Sequence, residues 1–161
     1  MKKDYDDIVK DILENEEFKR RKTYAHHGNI TVYEHSIKVS LLAYKISKIF
    51  KNVDSNSVAV GALLHDFYKT PWQSKPRAKH FFEKHGFTHA NEVFLNAKEY
   101  FPQIINEKVE DIIKKHMFPL NISLPKYKES WIVTLSDKLV SLEVIKKPVF
   151  FLALFFGIKK L

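Results

Sequence analysis

One stretch near the middle of the chain, Val58-Ala59-Val60-Gly61-Ala62-Leu63-Leu64-His65-Asp66-Phe67-Tyr68, limits the fold more than any other. The preceding Asp54-Ser55-Asn56-Ser57 offers several N-caps, and the spacing predicts a helix from Val58 to about Tyr68. A helix that is apolar all round belongs in the centre of a fold, not on its surface. The rest of the chain must therefore wrap it. The helix ends in an adjacent imidazole and carboxylate, His65-Asp66, and such a pair is costly to bury without partners. Taken alone, the dipeptide reads as a helix-end pair satisfying local backbone groups.

The wrapping elements are helices too. From Asp4 to Arg20 the pattern is a charged amphipathic helix with Ile8, Val9, Ile12, Leu13 and Phe18 inward. The segment 24–30 breaks the pattern as a loop. Thr31-Val32-Tyr33-Glu34 has capping-box spacing, which starts a helix running to about Phe50 with Val39, Leu42, Ile46 and Ile49 on one stripe. Pro71 and Pro76 mark a polar loop. Thr88 is expected to cap a helix through Tyr100, Asn106 to start one through His116, and a longer helix is expected from about Lys128 to Lys146. No repeat, low-complexity tract or strand hairpin is evident. The expectation is an all-α bundle of about six to seven helices, with residues 1–161 as one domain, a length that suits a single core.

Pro148 opens a final apolar stretch, Val149-Phe150-Phe151-Leu152-Ala153-Leu154-Phe155-Phe156. It is too short to span a bilayer, which takes about 20 apolar residues, and it lacks the polar face of an interfacial helix. It reads as a C-terminal helix over 148–161 that packs on the body or on a twin subunit, so a homodimer is an option. No transmembrane segment is expected. The start, Met1 to Asp7, has no apolar core and is not read as a secretory signal. Cysteine is absent, which excludes disulfides, thiolate metal sites and a cysteine nucleophile, and makes a reducing, cytoplasmic setting the natural expectation.

The net charge of +8 favours anionic partners without choosing among them. The basic residues are scattered, with short clusters such as Lys19-Arg20-Arg21-Lys22, and read as a solvated surface. No nucleic-acid motif accompanies them, so no specific nucleic-acid partner is expected. The histidines say more. His35 falls in the first turn of its helix, His89 in the first turn after Thr88, and His116 closes the helix from Asn106. Asp137 lies inside the apolar Thr134-Leu135-Ser136-Asp137-Lys138-Leu139. With His65 and Asp66 these make six N/O donors and no thiolate, a set that suits Fe, Mn, Zn, Ni, Co or Mg in a hydrolytic centre.

In this order the residues resemble the signature of the HD-domain superfamily of metal-dependent phosphohydrolases. The resemblance rests on His27-Gly28-Asn29, Tyr33-Glu34-His35, Leu64-His65-Asp66-Phe67-Tyr68, His85-Gly86-Phe87-Thr88-His89, His116-Met117-Phe118-Pro119-Leu120 and Asp137-Lys138. It is closest to small, mostly uncharacterised microbial members and covers about residues 24–143. The resemblance implies that His35, His65, Asp66 and Asp137 match the ligands of the common metal site. His89 and His116 match the extra histidines of two-metal members, in which the Asp of the pair bridges both ions. It thus implies one or two divalent ions, a metal-activated water, Asp66 as a catalytic group, and a small phosphorylated, nucleotide-like substrate, a monoester or diester.

Lys69 matches a lysine often found in the family and would bind a phosphate oxygen as a point charge in a catalytic and substrate-binding role. His27 matches the subgroup's loop and is expected to face substrate. His85, placed in the loop before Thr88, is expected to bind substrate, with completion of the second metal shell or a local hydrogen bond as alternatives. His26 and His80 are read as facing solvent. One departure stands out: relatives carry an aromatic-acid-Trp-His stretch after the His-Asp helix, whereas this chain has Thr70-Pro71-Trp72-Gln73, which puts substrate contacts there in doubt. The basic run 75–80 reads as a solvated face. The rival function is a non-catalytic HD module that holds metal and nucleotide without turnover.

Overall fold

The computed structural model describes residues 2–26, 29–71 and 81–145, and side chains within these except for 2–3, 81–88 and 143–145. The described residues form seven α-helices and no strand: α1 Lys2–Glu14, α2 Glu16–Lys19, α3 Val32–Ser47, α4 Ser55–Leu64, α5 Phe81–Tyr100, α6 Glu107–Lys115 and α7 Lys128–Ile145. His27, His80, the basic run at 75–80, Trp72-Gln73 and the apolar segment 148–161 lie outside the described residues.

The central position expected for the apolar stretch is what the structure has. Residues 57–68 are all buried, and α4 packs against α1, α3, α6 and α7. Its Val58 and Ala62 meet Val39 and Ala43 of α3, Ile112 of α6 and Ile132, Val133 and Val140 of α7. Its Ala59, Val60, Leu63 and Leu64 meet Tyr5, Val9 and Ile12 of α1, Val93 and Ala97 of α5, and Ile113 of α6. Gly61 is the point of closest approach: a Cβ there would stand 2.7 Å from Ile112 Cδ1. Only glycine lets α6 lie so near.

The α4 boundaries differ from the expected Val58–Tyr68. Asp54 caps the helix three residues earlier, its Oδ1 accepting from the backbone N–H of Asn56 and Ser57 at 3.1 Å each. The helix ends at Leu64: Phe67 N donates to Leu64 O at 3.1 Å and Tyr68 N to Asp66 O at 2.9 Å, and the carbonyls that follow are held from outside. Asn96 Nδ2 donates to Phe67 O at 2.6 Å, Arg21 Nη2 to Tyr68 O at 2.5 Å, and Tyr24 OH to Lys69 O at 2.6 Å. Three successive carbonyls are thus satisfied by side chains, and the backbone turns sharply right after His65-Asp66.

The N-terminal helix is also shorter than the periodicity indicates. Asn15 breaks it, its side chain accepting from Phe18 N to cap α2, which runs into a 3-10 turn at Arg20–Thr23. Val9, Ile12 and Phe18 are buried as expected, and Tyr5 joins them. A buried chain of hydrogen bonds ties three helices: Tyr5 OH donates to Ser40 Oγ (3.0 Å), which donates to Ala59 O (2.7 Å). The expected capping box at Thr31 and Glu34 is present, but α3 stops at Ser47, and Ile49 is 77% exposed. The chain turns there through Asn52, in the left-handed region at φ 60°. Asn106 caps α6 as expected.

Candidate metal centre

Each candidate ligand is placed by a helix terminus or a buried helix face. The capping box fixes the start of α3 and brings His35 inward, fully buried. His65 ends α4, His116 ends α6, and Asp137 lies midway along α7. His89 sits in the third turn of α5, which begins at Phe81. Thr88 is therefore not a cap and His85 is not in a loop. Gly86 and Thr88 each cost a helix interior only about 1 kcal/mol or less, too little to start a new helix there. His85 stands four residues before His89 in the same helix, and its side chain is outside the described part of the structure.

All six donors converge. His35 Nε2 is 3.0 Å from Asp137 Oδ1, and His65 Nε2 is 3.7 Å from the same oxygen. His65 Nε2 is also 3.5 Å from Asp66 Oδ2. On the other side of Asp66, Oδ1 lies 3.3 Å from His89 Nε2 and 3.8 Å from His116 Nε2. Two donor groups result, His35/His65/Asp137 and Asp66/His89/His116, joined through the His65-Asp66 pair. Two of the rings are aimed by their far nitrogens: His65 Nδ1 pairs with Ala62 O (2.6 Å) and His116 Nδ1 with Ile113 O (2.8 Å). This leaves both Nε2 atoms pointing into the cluster, the arrangement that orients a metal-binding imidazole.

The donors suit a divalent ion. Two ligands about 2.1 Å from one ion stand about 3.0–3.4 Å apart in octahedral or tetrahedral arrangements. The spacings here begin in that range and slightly exceed it. His65 Nε2 is buried with no hydrogen bond, a cost a shared cation removes. Charge points the same way. Burial alone would raise the carboxyls of Asp66 and Asp137, but surrounding imidazoles outweigh it and hold both well below the usual carboxylate range. Burial alone would lower His65, but the two carboxylates hold it up, to about 9. Burial and the charge on His65 push His116 down to about 4. Two buried negative charges thus call for positive charge, supplied within the protein by a proton on His65.

Three of the donors reach solvent, and they come from both donor groups. Side-chain exposure is 22% at His89, 19% at Asp137 and 11% at Asp66, against none at His35 and His65. Lys69 is half-exposed, its ammonium 2.7 Å from Glu99 Oε2.

The HD domain family model matches residues 32–142, well over half of the chain. The chain belongs to the HD-domain family. No curated protein and no solved structure matches it. HD domains bind divalent metals and act on phosphorylated substrates, and the donor groups here are of a kind that can hold a metal. No helix among the described residues is long and apolar enough to cross a membrane.

Two residues carry more than their sequence context suggests. His26, expected to face solvent, is half-buried with its ring 3.9 Å from that of His35. An isolated bridge between Ala25 and Thr31 folds its loop back onto the start of α3, a contact no local motif announces. Arg21, in what reads as a solvated basic cluster, is 1% exposed, lies over the Phe67 ring and pairs with Glu17 at 2.7 Å. An arginine among arginines and lysines gives no signal of which one turns inward.

Proposed function

We propose that this HD-domain chain is a metal-dependent phosphohydrolase that cleaves a nucleotide-like phosphate monoester or diester. The observation carrying the reading is the pair of donor groups joined at His65-Asp66. In this reading His35, His65, Asp66 and Asp137 would hold one ion, and Asp66, His89 and His116 a second. A divalent ion in such a site polarises a phosphoryl oxygen and acidifies water.

The protein's own contribution is arrangement. The carbonyl contacts of Asn96, Arg21 and Tyr24 hold the turn that presents Asp66, so that its two oxygens face opposite donor groups. Burial of His35, His65 and His116 keeps solvent from three of the donors, and substrate would meet the centre where His89, Asp137 and Asp66 are partly exposed. Two ionised carboxylates repel a phosphate, so cation must bind before substrate. Lys69 would serve a phosphate oxygen by exchanging Glu99 for it, and His27 and His85 would contact the rest of the substrate.

The test is metal analysis of the purified protein alongside hydrolysis of p-nitrophenyl phosphate, bis-p-nitrophenyl phosphate and nucleotides with Mn2+, Fe2+, Co2+, Ni2+, Zn2+ and Mg2+. His65→Ala and Asp66→Ala should each lose metal and activity. Retention of both by these variants would sink the proposal.

A further inference from the structure

The family match begins at residue 32, so His26 stands outside it, yet His26 is bound up with the centre. We propose that His26 is an additional metal ligand in this chain, one of its ring nitrogens binding the ion held by His35, His65, Asp66 and Asp137. The inference deepens the proposed function and rests on it.

Two independent observations support it. First, a ring nitrogen of His26, a ring nitrogen of His35 and a carboxylate oxygen of Asp66 all lie within 4.8 Å of one another. They come from three separate elements: the loop before α3, the first turn of α3, and the turn after α4. His26 thus reaches across to side chains of two other elements.

Second, the loop holding His26 is fastened at both ends. Val32 N donates to Tyr24 O at 2.9 Å, and His26 N donates to Ile30 O at 3.0 Å. Thr31, between these contacts, is the N-cap of α3. The backbone of His26 is therefore tied to the helix that carries His35, which lowers the ordering cost of bringing its ring to the centre.

The consequence is a division of labour. First-row divalent ions commonly take six ligands in N/O sites. With His26 the first ion has five protein donors, whereas the Asp66/His89/His116 group has three. More of the positions open to water and substrate then fall to the ion at Asp66, His89 and His116.

Co2+ alone is the probe. Wild-type protein, His26→Ala and His26→Gln are titrated with Co2+, following the visible d–d bands and the affinity by calorimetry. Loss of His26 should shift the bands of the first equivalent and weaken its binding about tenfold or more, and free imidazole should restore the bands of His26→Ala. Wild-type bands and affinity in both variants, or no effect of imidazole, would overturn the inference. His26→Gln keeps a polar side chain of similar size if the alanine variant does not fold. If wild-type protein binds no Co2+ at all, the proposed function fails together with this inference; if wild type binds it and the variants match wild type, only the inference fails.

Discussion

His65 and Asp66 are neighbours in sequence held in opposite charge states by what surrounds them, and that contrast has measurable consequences. His65 is raised to about 9 in the folded protein from an ordinary value near 6.5. Its contribution to stability is fully present below about pH 6.5 and is lost as pH rises through about 9. His116 is lowered to about 4, so its contribution is present above about pH 6.5 and is lost as pH falls toward 4. Asp66 and Asp137, held low, lose theirs in stronger acid. The thermal midpoint of the metal-free protein should therefore peak near pH 6.5 and fall on both sides, as scanning calorimetry across pH 4–10 would show. A midpoint rising steadily to pH 9 would contradict the charge assignment. Metal ligands must be deprotonated, so ion binding at pH 7 should release about one proton from His65. Calorimetry in buffers of different ionisation enthalpy measures it. Asp66→Asn should weaken both ions, whereas Asp137→Asn should weaken mainly the one on the His35 side, a difference that metal stoichiometry reads directly.

Among the elements, α4 and the turn after it do the most to build the site. Gly61 allows α6, and with it His116, to approach. Gly61→Ala drives a methyl into Ile112 and should cost about 1–3 kcal/mol, together with a loss of metal affinity, since His116 ends the displaced helix. Denaturant unfolding and Co2+ titration of the variant check both. Arg21 acts from the opposite side. Arg21→Met keeps much of the apolar stem but leaves Tyr68 O without its side-chain donor and Glu17 with Arg20 alone, and should cost about 3 kcal/mol. If Arg21 positions Asp66, metal affinity measured well below the melting temperature should fall too, while a purely structural role would lower only the melting point. At this scale the sequence was informative wherever a cap or a period acted locally: Thr31 with Glu34, Asn106, and the uniformly apolar α4. It misled where a contact from elsewhere set the boundary. Asn15 interrupts the first helix, α4 gives way after Leu64 to a turn whose carbonyls are held by side chains from elsewhere, and α5 runs through Gly86 and Thr88 back to Phe81.

For the molecule as a whole, α1 is part of the core although the family match starts after it. Tyr5, Val9 and Ile12 are buried, and at about 1.5–3 kcal/mol for each large side chain their burial contributes about 5–9 kcal/mol. That is comparable with the whole stability of an ordinary domain, about 5–15 kcal/mol. A chain cut to residues 32–142 should therefore lack a cooperative thermal transition by circular dichroism, and one lacking only residues 1–14 should melt far below the full chain. A sharp transition for the shorter chain would show α1 to be an appendage. The helical class, the central place of α4 and the order His35, His65-Asp66, His89, His116, Asp137 follow from the sequence alone, because periodicity, caps and uniform apolarity act within a few residues. The inward turns of Arg21 and His26, the partial exposure of His89 and Asp137 and the shared position of Asp66 between two donor groups were decided only by the tertiary structure. Each depends on side chains and carbonyls brought together from distant parts of the chain, and no local pattern encodes which of several similar residues will meet them.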